Sequence, residues 1–592
     1  MAHPTVFGGA TPPPASYQIG NSVRLRPGYF SRTASGGSTA KATISWWWKI
    51  CGIGTRRNVI GYADTGFTVE LQGNDIMYIG GTAVTGFLQT SATYRDPSAW
   101  YHFVLVYDTS QPASDICRFY CNGIRQTLTG TNPNGSPIAE LGAGTWEIGR
   151  RTDTLYAADG YIADYHHIDG LALSPTDFGK SDANGVWVPI RYSGSYGANG
   201  CKLEFKNSAA LGLDTSVNGN HWTVNGFTAA DQMVDTPSNN YCTWNPLSPS
   251  ASSLPLSGGN TTVSNSQTCS QSMWATQGVP NVWYCEMTLT AYSGTPGWCT
   301  WGFADPALIQ NTTNIISNTS GVWTYTDNGS SGTIFLGNGT TTSVTRTTAA
   351  NDIFMIAGDI STGKWWMGAN GSWFNSGNPA TGSNPLSSTF ASNAILPFFN
   401  ANYGQQLGRS VSLNLNSGQA PFAYTPPTGF KPLCTANLPA VAIPQPGKQF
   451  NTVLYTGNGA AHSITGIGHQ PDLVWNKDRL NGTSHRLFNS VCGAGKWLAS
   501  NTTGVEAVDA PSLTSFDSDG FSFGNDSLSG GSNVNNMPYV AWTWKGGGTS
   551  VTNTAGSITS QVSANPTAGF SIVTYTGNGT GGTVGHGLGA AP

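Results

Sequence analysis

The stretch Pro421-Phe422-Ala423-Tyr424-Thr425-Pro426-Pro427-Thr428-Gly429-Phe430-Lys431-Pro432-Leu433-Cys434-Thr435-Ala436-Asn437-Leu438-Pro439 decides how this chain is read. It closes one β-rich unit and opens the next. Upstream lie Asp352-Ile353-Phe354-Met355-Ile356-Ala357-Gly358-Asp359 and Thr362-Gly363-Lys364-Trp365-Trp366-Met367-Gly368-Ala369-Asn370-Gly371-Ser372-Trp373. The second run predicts a hairpin with turns at Thr-Gly-Lys and Asn-Gly, since Asn-Gly supplies the positive φ that a tight hairpin turn needs. Val282-Trp283-Tyr284-Cys285-Glu286-Met287 and Trp301-Gly302-Phe303-Ala304-Asp305 read as earlier strands of the same unit. Downstream, Phe450-Asn451-Thr452-Val453-Leu454-Tyr455-Thr456-Gly457-Asn458-Gly459 recurs as Phe570-Ser571-Ile572-Val573-Thr574-Tyr575-Thr576-Gly577-Asn578-Gly579. In the first copy the strand Asp472-Leu473-Val474-Trp475-Asn476-Lys477 follows, whereas the second copy reaches Pro592 at that point. The expectation is an incomplete second repeat, completed by further chain or by another subunit.

Charged residues make up 9% of the 592, against ~25% in an ordinary soluble domain. Aromatics make up 11%, with 20 Trp, so this is not the composition of a disordered chain. Short strands, polar turns and aromatic cores suit it, in about four domains. Net charge is −4 and no basic run occurs, so nucleic acid is not an expected partner. No apolar run approaches the ~18 residues of a spanning helix, so membrane insertion is not expected. The first fourteen residues lack the basic and apolar regions of a signal peptide, and synthesis in a cytoplasm is the expectation. The cysteines are scattered without a CxxC. Cys117 and Cys121 would share a strand face, with no His cluster to complete a metal site, and buried thiols are expected.

The first part of the chain reads as many short strands. In Thr43-Ile44-Ser45-Trp46-Trp47-Trp48-Lys49, alternation puts Ile44, Trp46 and Trp48 on one face and Trp47 on the other. Tyr101-His102-Phe103-Val104-Leu105-Val106-Tyr107-Asp108 and Arg118-Phe119-Tyr120-Cys121-Asn122-Gly123-Ile124-Arg125 follow, the latter with an Asn-Gly hairpin turn. Gly160-Tyr161-Ile162-Ala163-Asp164-Tyr165-His166-His167-Ile168-Asp169-Gly170 then leads into a capped turn at Ser174-Pro175-Thr176-Asp177.

This order of motifs resembles the laminin-G-like, concanavalin A-like jelly roll, over most of residues 20–180. That family holds lectins, adhesion modules and glycoside hydrolases, and the hydrolases carry E-x-D-x-x-E on one strand. The motif is absent here; Glu70, Glu140 and Glu147 stand alone. The pattern through Trp373 resembles a SPRY-like sandwich, a binding fold without chemistry of its own. The 421–439 junction and the repeats after it resemble those of large virion proteins of tailed bacteriophages. The expected division is an arm at 1–19 that could anchor to a virion, a jelly roll at 20–190, a bridging segment at 191–260, a SPRY-like sandwich at 261–432, a first repeat at 433–548 and the start of a second at 549–592.

Catalysis needs convergent titratable groups, and few are visible. Asp164, His166, His167 and Asp169 cluster in sequence, but the two histidines would point to opposite strand faces, one at the core edge and the other to solvent. Lectin sites use an exposed aromatic face with amides and carboxylates. Trp47, Trp187, Trp222, Trp365, Trp366 and Trp373 are the candidates, with Trp47, Trp365, Trp366 and Trp373 carried forward as ligand-binding residues. No cofactor and no catalytic or metal residue is assigned. Some laminin-G-like domains bind calcium, for which Asp64, Asp108 and Asp169 are the available partners, although no calcium-type loop occurs.

The resulting expectation is an all-β chain of tandem sandwiches in a virion appendage of tail-fibre or tailspike type. Its partners would be other virion proteins, copies of itself (a homotrimer by analogy with phage fibres) and a host-surface glycan or receptor. A purely structural virion component and a polysaccharide depolymerase are the two alternatives.

Overall fold

The computed structural model describes residues 17–26, 28–62, 67–81, 86–131, 144–151, 156–248, 254–266, 271–279, 281–294, 298–305, 321–327, 332–388, 396–403, 409–438, 443, 445–526 and 530–591. Among them the chain is all-β: antiparallel sheets joined by turns and short 3-10 segments, with no α-helix. It divides into two compact units, 1–182 with 186–441, and 183–185 with 442–592. The arm expected at 1–19 lies outside the described residues up to residue 16.

The first unit holds two sandwiches. One sheet of the first runs Ile124–Arg125, Cys117–Cys121, Trp100–Asp108, Lys41–Ile50, Gly160–Asp169, Ser22–Arg24, Gln232–Met233. The facing sheet runs Leu128–Gly130, Gly86–Thr93, Ile76–Gly81, Phe67–Leu71, Arg57–Tyr62, Gly144–Ile148, Tyr29–Ala34, Thr223–Asn225. Alternation in Lys41–Ile50 sends Ile44, Trp46 and Trp48 into the core between them, against Phe103, Val69 and Trp146. Asn122 and Gly123 take φ of 48° and 78° and close the expected hairpin. Ser174 and Asp177 form the capping box of the expected turn.

Residues 191–260 do more than bridge. Cys201–Leu203 pairs with Tyr165 to His167, just beyond the point where Ser22–Arg24 leaves the same strand edge. Thr223–Asn225 and Gln232–Met233 extend one edge of each sheet. Unpaired edge groups invite such additions.

In the second sandwich, one sheet runs Leu256–Ser257, Thr262–Ser266, Arg409–Asn416, Val282–Gly294, Ile353–Asp359, Lys364–Ala369, Ser372–Trp373. The other runs Gln271–Trp274, Leu396–Tyr403, Trp298–Ala304, Val322–Asp327, Gly332–Phe335, Thr341–Val344. Trp283, Trp301, Phe354, Trp365 and Phe399 fill the space between. Residues 421–433 then fold back over the outside of the first of these sheets. The buried Glu286 carboxylate accepts from the Ala423 and Tyr424 N–H groups, both at 2.8 Å, and from the Tyr284 hydroxyl at 2.9 Å. Phe422 meets Tyr284 edge-on at 4.9 Å, and Phe430 meets Trp366 at 6.0 Å.

The second unit is built on a six-stranded sheet: Phe450–Thr456, Pro538–Trp544, Leu473–Asp478, Arg486–Asn489, Lys496–Ala499, Ala507–Val508. A three-stranded sheet of His462–Thr465, Gly520–Phe523 and Leu513–Asp517 contributes Ile464, Phe521 and Phe523 to its core, where they join Val474 and Phe488. Val551–Asn553, Ser560–Asn565 and Phe570–Tyr575 form a further small sheet. The two copies of the repeated strand differ in partner: Phe450–Thr456 pairs with Pro538–Trp544, and Phe570–Tyr575 with Ser560–Asn565.

Candidate functional site

The outward face of the Tyr29–Ala34 sheet gathers polar and aromatic side chains. Phe67, Val69 and Leu71 point into the core, so Thr68 and Glu70 point out. The same alternation turns out Tyr78, Glu147 and Phe87. Register makes them neighbours: Glu70 lies opposite Asn58 and Tyr78, and Glu147 lies opposite Gly61, itself opposite Thr68. Two acids that stand alone in sequence thus share one face, two strands apart, roughly 10 Å across the sheet.

Each acid is held by a guanidinium. Arg56 Nε and Gln72 Nε2 donate to Glu70 Oε1 at 3.0 and 2.8 Å. Arg150 donates to both oxygens of Glu147, at 3.0 and 3.1 Å, and its Cζ sits 3.3 Å from the Tyr29 ring centroid. Both carboxylates are thus engaged by arginines on the same face. Two surface clefts lie elsewhere, one along Cys117, Arg125 and Leu128 and one along Thr552, Asn553 and Val562, and neither is lined by an acid.

Glu70 Oε2 and Asn58 Oδ1 are buried without a hydrogen-bond partner. An unpaired buried acceptor costs about 1–3 kcal/mol, and because neither side chain has exposed surface this cost is borne inside the fold. Beside them Tyr78 and Phe87 stack at 5.6 Å and 15° between planes, and Phe87 is 46% exposed. Burial, with Glu70 beside it, pushes the Tyr78 phenol above its usual range. The open side of the Phe87 ring suits an uncharged polyhydroxyl ligand, whose C–H face can meet it.

The tryptophans singled out in sequence are placed differently. Trp47 is buried on the far side of its sheet with Ile19, Trp100, Tyr161 and Met233. Trp365 faces the second core and donates to Ser387 Oγ at 3.0 Å. Trp366 faces outward from its sheet but lies under Tyr424 and Phe430, with its Nε1 donating to Ser383 O at 2.9 Å. Trp373 is half-buried in the same cluster. Trp222 is in the first core and Trp187 is half-buried. The ligand-face expectation for Trp47, Trp365 and Trp366 is therefore corrected: their rings are covered by protein. The faces of Tyr78 and Phe87 escaped the sequence reading, although the alternation around Met77 and Ile79 could have located Tyr78.

The histidines do point to opposite faces, but neither reaches solvent, because residues 171–196 cover the outer side. His167 is buried against Trp146, with ring centroids 5.1 Å apart. His166 joins Tyr196 at 2.9 Å and Asp164 at 3.2 Å, at a bulge where Asp164 has a φ of 44°. Tyr17 donates to Asp164 at 3.0 Å, and Lys202 reaches Tyr17 at 3.0 Å and Glu204 at 2.9 Å. Burial raises Asp164, but His166 and Lys202 outweigh it and hold the carboxyl well below its usual range. His102 accepts from Trp187 Nε1 on Nδ1 at 2.9 Å, so its Nε2 carries the proton toward Ser45 Oγ at 2.8 Å.

Burial holds His102 down to about 3, helped by His166, and holds His167 down to about 4. Both are neutral in the fold, whereas in the unfolded chain they protonate near ~6.5. The unfolded state therefore binds more protons as pH falls, taking up about two between pH ~6.5 and ~4. First-unit stability should drop across that window and level off above it. Denaturant midpoints measured from pH 8 to pH 4 check this; a flat profile would contradict the buried neutral rings.

For calcium, Asp64 lies outside the described residues. Asp108 accepts from Ser110 Oγ and N, at 2.6 and 3.1 Å, and Asp169 from the Ser38 and Asn199 N–H groups, at 2.7 and 2.9 Å. Asp108 closes a local turn, whereas Asp169 ties together two segments distant in the chain. Among the described residues no three His, Cys, Asp or Glu side chains gather for a metal.

Residues 28–177 match the family model of the concanavalin A-like lectin/glucanases superfamily, and 445–592 that of a domain of unknown function, DUF7483. The latter spans the boundary expected at 548. No curated protein matches the chain. Among solved structures, the chain is similar to a Bacteroides ovatus protein named for carbohydrate binding, at 15% identity and a TM-score of 0.27, over 36% of this chain and 60% of that one. It is also similar to the SPRY domain of human HERC1, at 11% identity and 0.21, over 28% and 94%. A Limulus polyphemus pentraxin matches at 14% identity and 0.22, over 27% and 80%. By its sheets the chain is an all-β protein of tandem sandwiches, and its residues 28–177 are concanavalin A-like by the family model.

Proposed function

We propose that this protein binds glycans without cleaving them, as part of a tailed-bacteriophage appendage that attaches to the host surface. The observation that carries glycan binding is the exposed Phe87 ring, stacked on Tyr78 on the outer face of the concanavalin A-like region. The phage assignment rests on the resemblance of the 421–439 junction and the repeats to virion proteins. In this reading the weak sites gain strength from repetition in a homo-oligomer, a trimer by analogy with fibres. The arm at 1–19 and the domain boundaries given above belong to the same proposal.

Purified protein should bind host-surface polysaccharide, and Phe87→Ala should weaken that binding about tenfold while leaving unfolding unchanged. EDTA should have no effect, since Asp108 and Asp169 already accept from backbone N–H groups. Equal affinity of Phe87→Ala and the parent would remove the site assignment. Shortening of the bound sugar would replace the adhesin reading with that of a depolymerase.

A further inference from the structure

In the second unit, the outward face of the six-stranded sheet is mainly apolar, with Thr452, Lys477, Asn489 and Lys496 as its polar members. Its inward residues are settled by the core, which takes Val474, Phe488 and Ala541, with Val453, Tyr455 and Trp497 packed against it. Register then defines the outward set. Phe450 lies opposite Trp544, Thr452 opposite Trp542 and Leu454 opposite Val540. Leu473 lies opposite Trp544 and Trp475 opposite Trp542, while Leu487 lies opposite both Trp475 and Leu498. Val508 lies opposite Lys496 at the far edge.

Phe570 of the small sheet stacks on Trp544 at 6.1 Å and His485 packs on Trp475 at 5.9 Å, but the rest of the face is open: Leu454 is 60% exposed, Val508 76%, Leu498 42% and Phe450 41%. The tryptophans between them are half-buried and touch one another, with Trp475 and Trp542 5.7 Å apart and Phe450 and Trp544 4.8 Å apart. Sheet faces of soluble domains alternate apolar-in with polar-out, so an apolar outer face implies a partner.

We infer that this face is where a second copy of the chain docks, sheet against sheet, a two-fold contact separate from the trimer proposed above. Three features select that occupant. Six strands ~4.8 Å apart and about five residues of ~3.4 Å give roughly 500 Å² in plan, so closing two such faces buries on the order of 1,000 Å² or more, near the lower bound for stable interfaces. Charge on the face is sparse: Lys477 is turned toward the Asp478 and Asn481 carbonyls, at 2.6 and 2.7 Å, and Lys496 toward Glu506 at 3.9 Å. The face also lacks the carboxylates and most of the amides that a sugar needs, whereas an equal apolar sheet needs none.

The test is sedimentation of the full chain across a concentration series, for the parent and for Leu454→Lys/Leu498→Lys. Both leucines are outside the core, so the variant should unfold at the parent's denaturant midpoint. The parent should self-associate, and the variant should do so about 100-fold more weakly. A monomeric parent, or a variant with the parent's association, overturns the inference. Polysaccharide binding that is lost in the variant of a monomeric parent would assign the face to sugar instead. Binding that depends on Phe87 is independent of these outcomes, so failure here is distinguishable from failure of the glycan site.

Discussion

Lys49→Met should destabilise the first unit by about 3–5 kcal/mol, the usual cost of stranding one member of a buried ion pair. Lys49 Nζ meets Asp235 Oδ2 at 2.7 Å, and both side chains are fully buried. The ammonium also donates to Asn240 Oδ1 at 2.8 Å and Tyr241 O at 2.9 Å. The other oxygen of Asp235 accepts from Trp100 Nε1 at 3.0 Å. Removing Lys49 leaves a carboxylate in a dry site with its indole donor and little else. The double variant Lys49→Met/Asp235→Leu removes both charges and should recover much of the loss, because an apolar pair of similar volume is often as stable as the ion pair. Denaturant unfolding of the parent, both single variants and the double variant closes the cycle. A single-variant cost below about 1 kcal/mol would mean that water reaches the pair. The pair ties the Lys41–Ile50 strand to residues 235–241, the chain that leads into the second sandwich, so its loss should be felt in both.

Trp365→Ala should cost the same unit about 3–5 kcal/mol, the range for emptying a large aromatic from a core. The ring is buried among the inward residues of the second sandwich, and its indole satisfies Ser387, which in turn donates to Leu336 O at 2.8 Å. The glycan affinity of the molecules that remain folded should be unchanged. Phe87→Ala should do the reverse, lowering affinity and sparing stability. If Trp365→Ala instead weakened binding without moving the unfolding midpoint, Trp365 would be a ligand residue and its burial would be wrong.

Much of the architecture can be read from local pattern. The alternation in Lys41–Ile50 places Trp46 and Trp48 in the core, and the Asn122-Gly123 and Asn370-Gly371 turns take the positive φ that their residues permit. The junction at 421–439 marks the end of a sandwich, although its role as a cover pinned by Glu286 is not written in its own residues. The candidate site was hidden for the same kind of reason. Glu70 and Glu147 are far apart in sequence, and only strand order brings them to one face.

The amino-acid sequence by itself determined the all-β class, the strands and tight turns, and the face to which each strand residue belongs, because period-two alternation and turn chemistry act over a few residues. Tertiary structure alone decided which faces meet solvent. Trp47 and Trp366 are on outer faces and yet are buried, since segments distant in the chain lie across them, whereas Phe87, Leu454 and Leu498 stay open. Exposure depends on what packs over a sheet from far along the chain, and no local pattern encodes that long-range choice.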